Sequence, residues 1–424
     1  MTTAILPEKN NELNPLRTAD GVLLKTALSR VSRRSKIKAF LLVLPLFAFI
    51  MISFVVPIGQ MLFRSVNNDS FYSNMPLMTA WFENNTIATV PDESAFAALA
   101  ADLAVAKKDR TIGQVATRLN YEVAGSRSLF TSTARDVKKF KAPFKETFIS
   151  YNKSWGNLEL WTAMYGASQK YTDSFYLAAL DRTRDNGGSI VQVDESRRIY
   201  VQLFLRTFGL SAFITVMCLI LGFPVAHLLA TLPLRKASLL MILVLLPFWT
   251  SLLVRTTAWM VLLQSQGVLN DILVTLGIVA DDNRLELMYN QSGSIIAMTH
   301  ILLPFMILPL YSVMRTIPPS YARAARSLGA TSWTTFRRIY LPQTIPGIGA
   351  GGLLVFILAV GYYITPALVG GASGQLISNQ IAFHMQSSLN WSMASALAAI
   401  LLAAVLVLYW LYDRLVGIDN MKLG

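Results

Sequence analysis

With 424 residues, of which 54% are hydrophobic and 14% charged, and a mean hydropathy of +0.47, the chain is too apolar for an ordinary soluble domain and reads as integral to a membrane. Lysine and arginine number 37 against 24 aspartates and glutamates, a formal charge of +13, but these cations flank apolar spans and do not interleave with aromatics, so a nucleic-acid surface is excluded. The one cysteine, Cys218, lies in an apolar span and reads as a small buried hydrophobe; an intramolecular disulfide and any metal or iron–sulfur site built on cysteines are excluded.

Residues 1–38 form a cytoplasmic tail ending in Arg30, Arg33, Arg34, Lys36 and Lys38. Residues 39–63 make the first of six stretches long enough to cross a bilayer, which takes about 20 helical residues. Its apolar length exceeds that of a signal peptide and no small-residue cleavage site follows Phe63, so an uncleaved anchor with a cytoplasmic amino terminus is expected. Residues 64–200 are polar and long enough to fold as a small domain. There Phe96, Leu99 and Leu103 recur at helical spacing, further helices are expected over 111–123, 128–140 and 158–180, and Asn186-Gly187-Gly188-Ser189 reads as a turn before re-entry.

The remaining spans fall at 203–230, 237–263, 294–314, 345–363 and 393–412, within a core of 201–415 that is followed by a cytoplasmic tail, 416–424. Alternation puts Arg235 and Lys236, and then Arg315, Arg323, Arg326, Arg337 and Arg338, on the cytoplasmic side. The same alternation puts Asp271, Asp281, Asp282, Arg284 and Glu286 on the other side, so the basic residues and the topology agree.

Between the fourth and fifth spans, within the loop 315–342, lies a basic, acid-free segment running from Tyr321 through Arg323, Ala324, Ala325 and Arg326 to Gly329, followed by Ile339, Leu341 and Pro342. Its chemistry predicts two short helices. Ser320 is placed to cap the first and Gly329 to end it in a left-handed turn; Thr331 is placed to cap the second and Pro342 to stop it. The alanines leave part of the first helix without bulk, which suits close approach by a partner; a hairpin held to the membrane surface by its arginines is the plainer alternative.

A solute path is suggested where glycine and proline interrupt apolar sequence. The run Gly361-Tyr362-Tyr363-Ile364-Thr365-Pro366 and the pair Gly370-Gly371 should break a helix near the extracytoplasmic side. Trp249, Trp259, Tyr362 and Tyr363 can present ring faces to an ammonium group, worth about 0.5 to 2 kcal/mol each, or form an interfacial belt. Arg255 is the one strongly charged residue deep in its span, either lining the path or snorkelling to the interface.

Several chemistries are missing. No aspartate or glutamate occurs from Leu287 to Tyr412, and His227 and His300 have no acidic neighbours in sequence, so an intramembrane proton relay is poorly supported. No Gly-Lys dipeptide exists, hence no phosphate-cradling loop, and neither a Gly-x-Ser-x-Gly elbow nor a His-Glu-x-x-His pair is present. A pump of this composition draws its energy from another subunit. A gradient-driven carrier or channel and a membrane scaffold are the rival classes.

The order Arg323-Ala324-Ala325, Gly329, then Ile339, Leu341 and Pro342 resembles the cytoplasmic signature loop of binding-protein-dependent ABC importer permeases. The segments Pro247 to Trp259, Gly267 to Asn270 and Gly361 to Gly371 are similar to the spermidine/putrescine branch of that family, and the likeness runs over roughly 203–415. The resemblance implies an all-helical membrane fold with six spans in the type I importer arrangement, to which 64–200 adds a helical extracytoplasmic insertion. It implies no cofactor in this chain, with ATP and magnesium held by a partner ATPase dimer. A second permease subunit, heteromeric or identical, and a periplasmic solute-binding protein are the other partners it implies, in a bacterial inner membrane. Tyr321, Arg323, Ala324, Ala325, Arg326, Gly329, Ile339, Leu341 and Pro342 would contact the ATPase. Trp249, Arg255, Trp259, Tyr362, Tyr363, Thr365 and Pro366 would border the solute. Two departures stand out: Arg323 replaces the family's usual glutamate, and Tyr362 replaces an acid common among polyamine permeases. Polyamine is the first expectation for cargo, with an opine, an amino-acid derivative or another small polar solute next. The insertion has no counterpart in typical members and reads either as a docking cap for the binding protein or as a stabilising addition.

Overall fold

A computed structural model describes residues 24–185 and 188–416; the expectations for most of the amino-terminal tail, for 417–424 and for Asn186-Gly187 lie outside them. The described residues are helical or looped apart from one isolated bridge and a two-stranded antiparallel hairpin, in which Arg182–Arg184 pairs with Ile190–Gln192. The chain separates into two units, one ending at Met61 and one beginning at Leu62.

In the first unit the helix Leu24–Ile50 continues through a π-turn, Met51–Val55, into the helix that begins at Val56. The π-turn ends two residues before Pro57, which has no N–H to give and whose ring crowds the carbonyl four residues back. A wider turn at that point relieves the crowding and keeps the helix continuous.

The second unit opens with the polar segment. Phe71, Met75, Met78, Phe96, Leu99, Leu103, Leu119, Phe130, Phe148, Trp155 and Trp161 are buried together in one core. The helix Glu93–Lys108 supplies the expected Phe96, Leu99 and Leu103 stripe, and Ile112–Asn120 and Ser126–Asp136 fall where periodicity predicts them. Rings meet at angles that suit their quadrupoles, with Phe96 and Trp161 centroids 4.7 Å apart and Phe148 and Trp155 5.3 Å apart. Both indole N–H groups are satisfied, Trp155 Nε1 by Thr133 Oγ1 at 3.1 Å and Trp161 Nε1 by the Trp155 carbonyl at 2.9 Å. The helix expected over 158–180 is instead two, Leu158–Ser168 and Ser174–Ala179. The residues between them turn extended because Asn68 N–H bonds to the Lys170 carbonyl and Thr172 N–H to the Val66 carbonyl. That pairing outcompetes helical bonds the segment would otherwise make to itself.

Arg118, 4% exposed, ties this domain together: Nε donates to Asn68 Oδ1 at 2.8 Å, one terminal nitrogen pairs with Glu122 at 2.8 Å, and the guanidinium lies over the Phe175 ring. Asp181 then fixes it to the long helices that follow. Its carboxylate accepts from the backbone N–H groups of Ile199, Tyr200 and Val201 at 3.1, 3.1 and 2.8 Å, satisfying the orphan donors at the start of the Tyr200–Thr231 helix. Phe175 and Ala179 also pack with Met393, Ala396 and Leu397 of the last long helix.

Among the described residues five helices are long and apolar enough to cross a membrane: Val31–Arg64, Tyr200–Thr231, Gln291–Thr316, Ser332–Gly361 and Trp391–Arg414. The third expected span, 237–263, is not one straight helix. Leu234–Trp249 and Leu252–Thr275 meet at 95°, because Pro247 interrupts the amide series and Ser251 restarts a helix by accepting from Val254 N–H.

Three of these helices, Tyr200–Thr231, Gln291–Thr316 and Leu341–Gly361, form the centre, burying Leu210, Ile214, Cys218, Leu302, Met306, Leu310, Val355 and Ala359. Small residues set their spacing. A Cβ on Gly351 would lie 2.9 Å from Met306 Sδ and 3.2 Å from its carbonyl, and one on Gly347 would lie 3.1 Å from Val313 Cβ.

Candidate functional site

The loop between the Gln291–Thr316 helix and the next span folds as a helical hairpin. Its first limb is Pro319–Ser327, with Pro318 at the cap and no side-chain cap bond, so the expected capping by Ser320 does not occur. Ser320 has been drawn into the first turn because proline at the first helical position starts the helix earlier. Gly329 takes φ +87°, and the bonds Ala330 N–H to Ala325 carbonyl and Gly329 N–H to Arg326 carbonyl complete a left-handed C-cap. Thr331 then caps the second limb, accepting from Thr334 N–H at 3.2 Å.

That limb does not stop at Pro342. Ser332–Thr335 runs through a π-turn, Phe336–Tyr340, directly into Leu341–Gly361, with Leu341 N–H reaching the Phe336 carbonyl. The π-turn plays the part it plays before Pro57, and the hairpin is consequently one continuous rod with a membrane-crossing helix.

Trp333, Phe336 and Tyr340 form an aromatic ladder along this limb. Phe336 stacks between Trp333 at 5.8 Å and Tyr340 at 6.1 Å, and Phe223 of the Tyr200–Thr231 helix meets it edge-on at 6.0 Å. Tyr340 Oη and His227 Nδ1 are 2.9 Å apart. The aromatic spacing at 333, 336 and 340 is a legible helical stripe; its partners across the fold are not. His227 is thereby a hydrogen-bonded packing residue, not a relay member.

The rest of the hairpin faces outward. Tyr321, Arg323, Ala324, Arg326, Gly329, Arg337, Arg338 and Pro342 are exposed, while Ala325, Ile339 and Leu341 are half-buried. Leu328 is 88% exposed and Trp333 68%, large apolar surfaces held at the tip of a polar turn. Among the described residues none of these four arginines forms an ion pair.

The expected path residues divide. Arg255 and Trp259 lie one turn apart on the Leu252–Leu263 helix, beyond the bend from the exposed Trp249. Trp259 Nε1 donates to His300 Nδ1 at 3.1 Å, and the hydroxyls of Thr256 and Thr365 meet at 3.2 Å, so three helical segments converge here. Arg255 is within electrostatic reach of both His300 and Tyr362. As the interruption predicts, the helix ends at Gly361 and a short helix, Ile364–Val369, follows, in which Thr365 and Pro366 are buried. Tyr363 points elsewhere, lining a cleft of about 430 Å³ with Gln375, Asn379, Gln380, Phe383 and Gln386. Thr256, which carries no motif by which sequence would select it, and His300, which sequence shows only as a histidine in a span, complete the cluster. Among the described residues no group of histidine, cysteine, aspartate and glutamate is placed to hold a metal.

Residues 210–417 match the family described as binding-protein-dependent transport system inner membrane component. The spermidine/putrescine transport system permease protein PotB of Escherichia coli K12 is 37% identical over 222 residues, 52% of this chain and 80% of that protein. The protein of the same name from Haemophilus influenzae is 36% identical over 224 residues, 53% of this chain and 78% of its own length. A crystal structure of a bacterial ABC transporter that imports the polysaccharide alginate aligns at 16% identity and a TM-score of 0.44 over 70% of this chain and 99% of that one. The chain belongs to the binding-protein-dependent ABC importer permeases, as a multi-pass inner-membrane subunit with no ATPase domain and no cofactor of its own. The matched region begins beyond the aromatic-cored domain, which is additional to it.

Proposed function

We propose that this subunit forms half of the translocation path of an ATP-driven importer and takes a small polar solute from an extracytoplasmic binding protein. The carrying observation is the exposed hairpin: an apolar tip at Leu328, a rim of arginines without acidic partners among the described residues, and a rigid continuation into a membrane helix. A groove on an ATPase subunit is the occupant such a surface suits, and movement of the hairpin would be carried along Ser332–Gly361 toward the path. Residues 319–342 are the contact, with Arg323 answered by an acid on the partner. The amino terminus is cytoplasmic, 64–200 is an extracytoplasmic helical insertion ahead of the 201–415 core, and a second permease completes the path in the type I importer arrangement. Similarity to spermidine/putrescine permeases supports an amine-bearing cargo of the polyamine kind; an opine or amino-acid derivative is the second reading, favoured by the lack of acids from Leu287 to Tyr412.

Gentle detergent purification of the whole chain from its native membrane tests this. ATPase subunits are expected to accompany it, and Leu328→Asp is expected to release them while the chain still extracts as a folded species. Failure to recover any ATPase, or equal retention by the Leu328→Asp chain, would overturn the assignment.

A further inference from the structure

One wall of the cleft beside Tyr363 is a single short helix, Ile377–Gln386. Gln380, Phe383 and Gln386 recur along the side that lines the cleft, and no charged side chain lines it. Asn379 Nδ2 ties the wall to the facing segment by donating to the Tyr363 carbonyl at 2.8 Å. Among the described residues the carboxamides of Gln375, Gln380 and Gln386 make no hydrogen bond, which leaves them to a solute.

The opposite side of the same helix is gripped from elsewhere. Ile377, Ile381 and His384 recur at helical spacing there, and the two isoleucines pack in one cluster with Phe175 and Ala179 of the Ser174–Ala179 helix. Ile377 N–H donates to Thr207 Oγ1 at 2.8 Å. His384 Nε2 lies 3.0 Å from Tyr200 Oη, and its Nδ1 lies 2.9 Å from Ser388 Oγ. Burial holds the His384 ring below the ordinary histidine range and hence neutral, with one nitrogen to donate and one to accept, which two hydroxyl partners satisfy. Tyr121 of the aromatic-cored domain completes the chain, its hydroxyl donating to the Ser388 carbonyl at 3.0 Å. A helix shorter than about 12 residues is marginal in isolation, and Ile377–Gln386 has 10. Its placement is therefore set by what holds its back.

We infer that the aromatic-cored domain positions the wall of a solute-entry cleft, with Tyr121 and His384 as positioning residues for transport. Tyr121, Phe175 and Ala179 all precede residues 210–417, so this support is additional to the region matched by the family. The role in transport rests on the importer reading; what holds the wall rests on the packing alone. Carboxamides beside the Tyr363 and Phe383 rings suit a polar solute that bears an amine.

The complete importer in proteoliposomes, with its binding protein, ATPases and second permease, carries Gln380→Cys as a reporter for a membrane-impermeant maleimide, read on this subunit. The native Cys218 is buried among the central helices. Tyr121→Phe and His384→Gln are each expected to speed labelling about threefold or more, as loss of one net hydrogen bond implies, and to lower binding-protein-stimulated ATP hydrolysis by a similar factor. Tyr151→Phe removes a bond to Asp136 at 3.1 Å that stays within the domain, and is expected to change neither rate. Unchanged labelling in both Tyr121→Phe and His384→Gln overturns the inference. Equal acceleration by Tyr151→Phe also overturns it, because general loosening of the domain would then account for the effect. Faster labelling with unaltered ATP hydrolysis overturns the role in transport. Absence of binding-protein-stimulated hydrolysis in the complex with wild-type Tyr121 and His384 overturns the importer reading, while the labelling rates still decide what holds the wall.

Discussion

Tyr340→Phe isolates the bond that joins the hairpin to the central helices. The substitution removes only the hydroxyl that meets His227 Nδ1 at 2.9 Å, leaving the ring to stack on Phe336 at 6.1 Å and to meet the imidazole edge-on at 5.0 Å. A net hydrogen bond is worth about 0.5–1.5 kcal/mol, and the partly exposed His227 recovers some solvation, so a loss near 1 kcal/mol is expected, roughly a fivefold shift in any equilibrium that depends on the joint. The hairpin itself should remain folded, because its C-cap at Gly329 and its N-cap at Thr331 are untouched. The assay is solute transported per ATP hydrolysed in the reconstituted complex. That ratio should fall about two- to fivefold while ATPase subunits stay bound. His227→Ala should give a similar loss, and the double variant should be no worse than either, a coupling of about 0.5–1.5 kcal/mol. An unchanged ratio in Tyr340→Phe, or losses that simply add, would refute the reasoning that this bond transmits hairpin movement.

Two further outcomes follow from packing and charge. Asp102 is buried in the aromatic-cored domain, where desolvation raises its pKa against the opposing bond from Met78 N–H at 2.8 Å. A carboxyl whose folded pKa lies above its unfolded value costs stability as pH rises through and above the ordinary aspartate range. Asp102→Asn keeps an acceptor for Met78 and removes the titration, so unfolding followed by Trp155 and Trp161 fluorescence should lose part of its decline between acid and neutral pH; an unaltered pH slope would exclude Asp102 as its source. Gly351→Leu forces a side chain into Met306, whose carbonyl cannot give way as its Sδ can, and should cost about 1–3 kcal/mol, read as a lower Tm in detergent. Gly352→Ala, whose Cβ would meet only Thr215 Cγ2 at 3.8 Å, should be near neutral; equal Tm values for the two variants would exclude the close helix approach.

The positions of the long helices were legible because about 20 apolar residues in a row have few alternatives to a buried helix. Local chemistry also placed the Gly329 turn, the Thr331 cap and the break after Gly361, since each is decided by one or two backbone conformations. Ser320 and Pro342 were misjudged for a related reason: a local signal states a preference, and Pro319 or a π-turn can override it with no change in composition. The single helix expected over 158–180 failed because Val66 and Asn68, about a hundred residues away, claim its backbone groups.

The sequence alone determined the class of this protein, a helical membrane subunit without a nucleotide site, because composition, spans and the arginine-rich loop are properties of contiguous stretches. Tertiary structure alone decided which polar groups meet. His227 finds Tyr340, Asp181 caps the Tyr200–Thr231 helix, and Trp259 finds His300. The physical reason is range: burial tendency and helix signals act within a few residues along the chain, whereas a hydrogen bond depends on which distant segments the packing brings within about 3 Å.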